Sequence, residues 1–225
     1  MNMKAIIVSI IIIALAGLAF FFWSSTDNEE GQDVANADGV VATFSGEEIT
    51  RAQLDAYVAG LAENPQVTVP DASQEVERAE FDRAALEQMI NEQLFIADAQ
   101  AQGVSVDADA VDARLAEVAA QFETEEDYQA ELAAAGITED VLRANIRQQL
   151  LITGYYEKLS AENEVSVSDE EVQAFYDEQI TDTEANPFED VAEQIEAFLA
   201  QQKLQVIVDG VIEKLRENAN IQLLI

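Results

Sequence analysis

The chain contains no histidine and no cysteine, and only 11 Lys and Arg among its 225 residues. Without His or Cys there is no Cys/His zinc site, no His-based triad and no disulfide framework, and any haem ligand would have to be Met or Tyr. The missing cysteine also excludes a lipoprotein anchor. So few cations beside 45 Asp and Glu leave a formal net charge of -34. A surface that acidic repels phosphate, which argues against nucleic acid as a partner. What the chain does have is 49% apolar and 25% charged residues, the balance of a globular protein rather than a disordered acidic one. Its length suits one domain or a small pair, with room for a real core.

The acids all lie after Trp23, and Lys4 is the only basic residue before it. Ala5 to Trp23 is an apolar run broken only by Ser9. As a helix it reaches about 28 Å, close to the thickness of a bilayer's hydrocarbon core. Lys4 on the short side predicts a single-pass anchor over residues 1–23, with the N-terminus in the cytoplasm and the remainder outside. A cleaved signal peptide is the alternative reading, because Ala14-Leu15-Ala16 has the A-x-A form. Cleavage there would leave the apolar stub Gly17 to Trp23 exposed, which favours the uncleaved anchor. Residues 24–38 are polar, acidic and without periodicity, and read as a flexible tether averaging about 20 Å.

Residues 39–225 read as one mostly helical domain. Val40–Phe44 is β-prone and closed by Ser45-Gly46, so it reads as a strand and a turn. An apolar residue, a capping residue and a second apolar residue then recur: Ile49-Thr50 with Leu54, Val106-Asp107 with Val111, Ile137-Thr138 with Leu142, and Val167-Ser168 with Val172. Each is an N-cap with a hydrophobic staple, and Thr50/Gln53 and Ser168/Glu171 add capping boxes, as does Thr124 with Asp127 in kind. Gly103 and Gly136 suit C′ positions. The helices expected are Thr50 to about Asn64, Val76–Gln102, Asp107–Phe122, Thr124–Ala135, Thr138 to about Ala161 and Ser168–Gln179. A last long helix starts at Asn186-Pro187, with Asn as N-cap and Pro at N1, and runs to about Asn218, with Gly210 as the candidate position for a bend. The β-prone end Asn220–Ile225 is expected to pair with Val40–Phe44 in a small two-stranded sheet that joins the two ends of the domain.

On the helix over Val76–Gln102, Leu86, Met89, Ile90, Leu94 and Ala97 form the expected core stripe, with Phe81 and Phe95 together on a separate face. Those two aromatics read either as a partner surface or as packing beneath the final helix. The Thr138–Ala161 helix is apolar nearly all round, so it is expected to be surrounded by others.

No catalytic, metal or cofactor chemistry stands out. Carboxylates are everywhere, so no pair of them marks an acid–base site. Asp107-x-Asp109-x-x-Asp112 starts like a calcium loop but lacks the Gly and Glu an EF-hand needs at the positions of Asp112 and Val118, and reads as an acid-rich first turn. Tyr155-Tyr156 reads as core.

The residues Ile49-Thr50-Arg-Ala-Gln-Leu54, Leu86-Glu-Gln-Met-Ile-Asn-Glu-Gln-Leu94 with Gly103-Val, Gly136-Ile-Thr-Glu-Asp-Val-Leu142 with Gln149-Leu150-Leu, and Val165-Ser-Val-Ser-Asp-Glu-Glu-Val172 with Tyr176 resemble the SurA N-terminal chaperone domain. That domain occurs in SurA, in membrane-anchored PpiD and in PrsA-type foldases, and the resemblance covers about residues 40–225. It implies an ATP-independent chaperone that binds unfolded, apolar-rich polypeptides outside the cytoplasmic membrane, close to where chains emerge from translocation. Phe81, Phe95, Phe122 and Tyr128 are the expected client-binding residues, because wheel position or helix-end location leaves them least committed to the core. Many members carry a parvulin prolyl isomerase domain after the segment similar to Val165–Tyr176. Here Ile180–Ala185 alone separates that segment from the final helix, so no isomerase activity is expected. The other readings are a non-catalytic accessory or scaffold subunit of an envelope complex, and a diverged prolyl isomerase.

Overall fold

The computed structural model describes residues 39–180 and 187–225, apart from positions 63, 65 and 72. The expected anchor and tether, residues 1–38, lie outside the described residues, and so does Asn186. No helix among the described residues is long and apolar enough to cross a membrane.

Three strands and seven helices make up the described chain: β1 (Val40–Phe44), β2 (Glu47–Thr50), α1 (Arg51–Ala62), α2 (Glu75–Ala101), α3 (Ala108–Ala119), α4 (Glu125–Ala134), α5 (Glu139–Glu162), α6 (Asp169–Gln179), α7 (Phe188–Asn218) and β3 (Gln222–Leu223). The sheet has the order β2-β1-β3, all antiparallel. The expected pairing of the two ends is present, with Ala42 opposite Leu223 and Thr43 opposite Gln222.

The expected two-stranded sheet is corrected to three strands. Ser45 and Gly46 take φ of 50° and 89°, the doubly left-handed geometry of a tight hairpin turn, and the chain folds straight back so that Phe44 faces Glu47. Ile49 thus serves twice: it is fully buried in β2 and it staples the start of α1. The Ser45 N–H donates to the Ala219 carbonyl at 2.5 Å, tying this hairpin to the end of α7.

The caps are local features and sit where the sequence puts them. Thr50 and Gln53 exchange bonds of 2.8 Å and 3.3 Å, Ser168 and Glu171 form a capping box, and Thr124 and Thr138 accept from Asp127 and Val141. Asp107 differs: it holds the N-cap backbone geometry without a side-chain cap bond. Gly103 and Gly136 are left-handed, as their C′ positions require. Pro187 is the N-cap of α7 rather than its first helical residue, and α7 is continuous through Gly210.

The core is divided into clusters strung along the three longest helices, α2, α5 and α7. The first half of α2 packs Leu86, Met89, Ile90 and Leu94 on the sheet and α1. Its second half turns Phe95, Ile96 and Ala99 toward α5 and α7. Ala97, expected in the stripe, is exposed, because the buried face rotates along the helix to follow this change of partner. The first half of α5 packs with α3 and α4 through Val111, Leu115, Leu132, Leu142 and Ile146, and its second half joins α2 and α7. That double partnership explains an α5 apolar on nearly every side. α7 packs first against α6 through Ile195, then against α2 and α5 through Val208, and finally reaches the sheet through Leu215.

Candidate functional site

Where α2, α5 and α7 diverge they leave an open groove of about 1030 Å³. From α2 it takes Gln88, Asn91, Glu92 and Phe95, which share one helix face by their spacing. Ile152 and Tyr156, one turn apart, come from α5, and Val208, Asp209, Ile212, Glu213, Arg216 and Glu217 from α7. Asn220 and Ile221 close the end beside the sheet. The floor is apolar, of Phe95, Ile152, Val208, Ile212 and Ile221, while the walls are amide and carboxylate.

Aromatic packing fixes the floor. Phe95 lies 4.7 Å from the Tyr155 ring and 5.3 Å from the Tyr156 ring, centroid to centroid. Tyr155 is buried, whereas Tyr156 keeps 37% of its surface exposed at the mouth of the groove. On the α2 wall, Gln148 Nε2 donates to Glu92 Oε1 at 2.9 Å. Burial raises the Glu92 carboxyl above its ordinary range, against the opposing effect of that hydrogen bond. Burial likewise raises the Tyr156 hydroxyl, helped by the charges of Glu92 and Asp209. Behind this wall, burial and the Glu92 charge push Tyr57 up to about 12. Arg216 Nη1 donates to Asn91 Oδ1 at 2.6 Å and its other nitrogen lies 3.8 Å from Glu87, so α7 is latched to α2 at one end of the groove.

The sequence-predicted site residues do not converge. Phe81 is half-buried against the cluster of the sheet and α1, whereas Phe95 packs with α5 and α7; the two lie on the same side of α2 but about 21 Å apart along it, so they form no common surface. Phe95 is 4% and Tyr128 2% exposed, which corrects the reading of both as outlying aromatics. The wheel failed for them because α2 changes partner midway and α4 buries Tyr128 against Phe122, with ring centroids 5.6 Å apart. Burial foremost raises the Tyr128 hydroxyl, whose oxygen has no hydrogen-bond partner among the described residues. Of the four, Phe95 alone lines the groove. Sequence reasoning missed Ile152, Tyr156, Val208 and Ile212. The available signals were two i,i+4 pairs, Ile152/Tyr156 and Val208/Ile212, on helices whose faces exceeded what one core contact needs.

A helical domain with a solvent-open, apolar-floored groove is the class these features define. Residues 1–156 match the family described as the SurA-like N-terminal domain, and the chain belongs to that family. It is 34% identical over 142 residues to Chaperone SurA of Chromobacterium violaceum, covering 62% of this chain and 32% of the relative. Chaperone SurA of Saccharophagus degradans is 28% identical over 174 residues, covering 76% of this chain and 37% of the relative. The chain therefore spans about a third of the length of the curated relatives it matches. A solved structure reported for the SurA-like chaperones PEB4 and Cj1289 of Campylobacter jejuni superposes with a TM-score of 0.56 at 15% identity. It covers 83% of this chain and 99% of the other, a likeness of fold.

Proposed function

We propose that this protein is a membrane-tethered, ATP-independent chaperone that shields extended apolar segments of unfolded polypeptides in the periplasm, near the point where chains emerge from translocation. The observation that carries the reading is the groove between α2, α5 and α7. It combines an apolar floor with walls of solvated polar groups, so an unstructured segment can bury side chains without a matched shape. Membership of the SurA-like N-terminal domain family supports the same reading. The apolar run Ala5–Trp23 supports the tether. No catalytic step is assigned. α6 ends at Gln179 and α7 begins at Phe188, which leaves no room between them for an inserted isomerase domain.

The test is suppression of aggregation. The full chain, in neutral detergent and equimolar with an unfolded outer-membrane protein, should lower light scattering without nucleotide. Unchanged scattering at both low and high salt would sink the chaperone reading. The tether is tested separately: the protein should stay with membranes through alkaline carbonate extraction, and its release would refute the anchor.

A further inference from the structure

We infer that the groove selects extended segments in which basic and apolar residues alternate. The inference rests on the groove being the client site, and it adds the chemistry of the client. Asp209, Glu213 and Glu217 lie four residues apart along α7, all exposed, and all three line the groove beside Val208 and Ile212. Four residues of helix advance about 6 Å. Two residues of an extended chain advance about 6.6 Å. A strand laid along α7 thus brings every second side chain past a carboxylate and leaves the intervening side chains for the rest of the groove, whose Phe95, Ile152 and Ile221 are apolar.

The carboxylates are free to take such a partner. Glu213 and Glu217 have no basic group within ion-pair distance among the described residues, and Asp209 accepts only from Gln205, at 2.7 Å. Arg216 is the basic side chain among the lining residues, and it is engaged by Asn91 and Glu87. The stripe therefore presents uncompensated negative charge against an apolar surface. Charge also decides between occupants. A second copy of this chain, with its net charge of -34, and the chain's own acidic tether would both bring like charge to the stripe. A client segment carrying Lys or Arg at alternate positions brings the complement.

Fluorescence anisotropy of the full chain in neutral detergent, with three labelled peptides of equal length, tests this. One alternates Lys and Leu, one Gln and Leu, and the third carries its Lys and Leu in separate blocks. Three exposed ion pairs predict about tenfold tighter binding of the alternating Lys peptide than of the Gln peptide at low salt. That advantage should fall steeply by about 1 M salt. The blocked peptide should lose most of it. In the Asp209→Asn, Glu213→Gln, Glu217→Gln triple variant, with its helical circular-dichroism spectrum intact, the Lys and Gln peptides should bind alike. Equal binding of the Lys and Gln peptides to the unaltered chain overturns the charge selection while leaving the groove as a client site. Equal binding of the blocked and alternating Lys peptides overturns the register. Failure of all three peptides to bind refutes the groove itself.

Discussion

The hydroxyl of Tyr155 on α5 donates a hydrogen bond to the Asp98 carboxylate on α2. This bond lies directly behind the groove floor, since the Tyr155 ring supports Phe95 from below. Asp98 Oδ1 also accepts from Gln102 at 3.3 Å, so the carboxylate is held on both oxygens. Tyr155→Phe should keep the packing and lose the bond, costing about 1–2 kcal/mol in denaturant unfolding.

The same pair governs alkaline stability. Burial foremost, then the bond and charge of Asp98, raise the Tyr155 hydroxyl well above the ordinary tyrosine range, and burial pushes Tyr57 up to about 12. A folded-state value above the unfolded one means the stabilisation is complete below about pH 10 and is lost as pH climbs toward the folded value. Unfolding midpoints should therefore fall above pH 10, and less steeply in Tyr155→Phe. Parallel curves for the two proteins would contradict the assignment.

Glu92 predicts a dependence at the opposite end. Its carboxyl is raised chiefly by burial, so the proton is bound more firmly in the folded state. Its contribution is greatest below about pH 4 and is lost as pH rises through the folded value, leaving a buried charge at neutrality. Glu92→Gln keeps an acceptor for Gln148 and should raise the thermal midpoint near neutral pH. The gain should vanish in acid. A variant stabilised equally at both pH values would show that ionisation is not the cause.

Asp82 is 8% exposed and receives Arg78 Nε at 2.7 Å and Arg51 Nη1 at 3.1 Å, which joins α1 to α2. Asp82→Ala removes both bonds but leaves two arginines able to reach water. We expect a loss of about 1.5–3 kcal/mol in urea unfolding, and little further loss when Arg51→Ala is added. Additive losses would mean the pair is not coupled.

Tyr156 separates binding from folding. Its ring edges the groove with 37% of its surface exposed. Tyr156→Ser should weaken aggregation suppression several-fold while moving the thermal midpoint little. A fall in the midpoint with suppression intact would place Tyr156 among the structural residues instead.

Salt is the remaining lever. With 45 acids to 11 bases, self-repulsion opposes the compact state, and screening relieves it. Midpoints should rise between about 0.01 M and 1 M salt. A flat or falling trend would count against an acid-rich surface adapted to high ionic strength.

What could be read from the sequence follows the range of the interactions. The capping boxes at Thr50/Gln53 and Ser168/Glu171 and the left-handed Gly103 and Gly136 are set within a few residues, and they appear as expected. So does the pairing of β1 with β3, because an isolated β-prone run at each end has few other ways to satisfy its backbone. The strand Glu47–Thr50 escaped because Ile49-Thr50 already read as a helix staple, and the residues do both. The groove escaped for a different reason. Its floor is assembled from Phe95, Ile152, Val208 and Ile221 on separate elements, and which face each turns to the gap depends on where α2 and α5 exchange neighbours. Helix periodicity reports that a face is apolar and does not say what covers it.

The sheet order has a consequence for synthesis. β1 is among the first segments of the domain to leave the ribosome and β3 the last, yet β1 sits between β2 and β3. The cluster around Val111, Leu132 and Ile146 needs only a short contiguous stretch of chain. The cluster that includes Val41 and Phe44 draws Ala219, and Leu215, Ile221 and Leu223 packed against it, from the far end of the domain. The sheet is thus complete only once β3 arrives, and until then the side of β1 away from β2 is unpaired. Arrested chains ending just before Asn220 should show amide protection in α3–α5 and faster exchange than the full chain at the β1 amides that face β3.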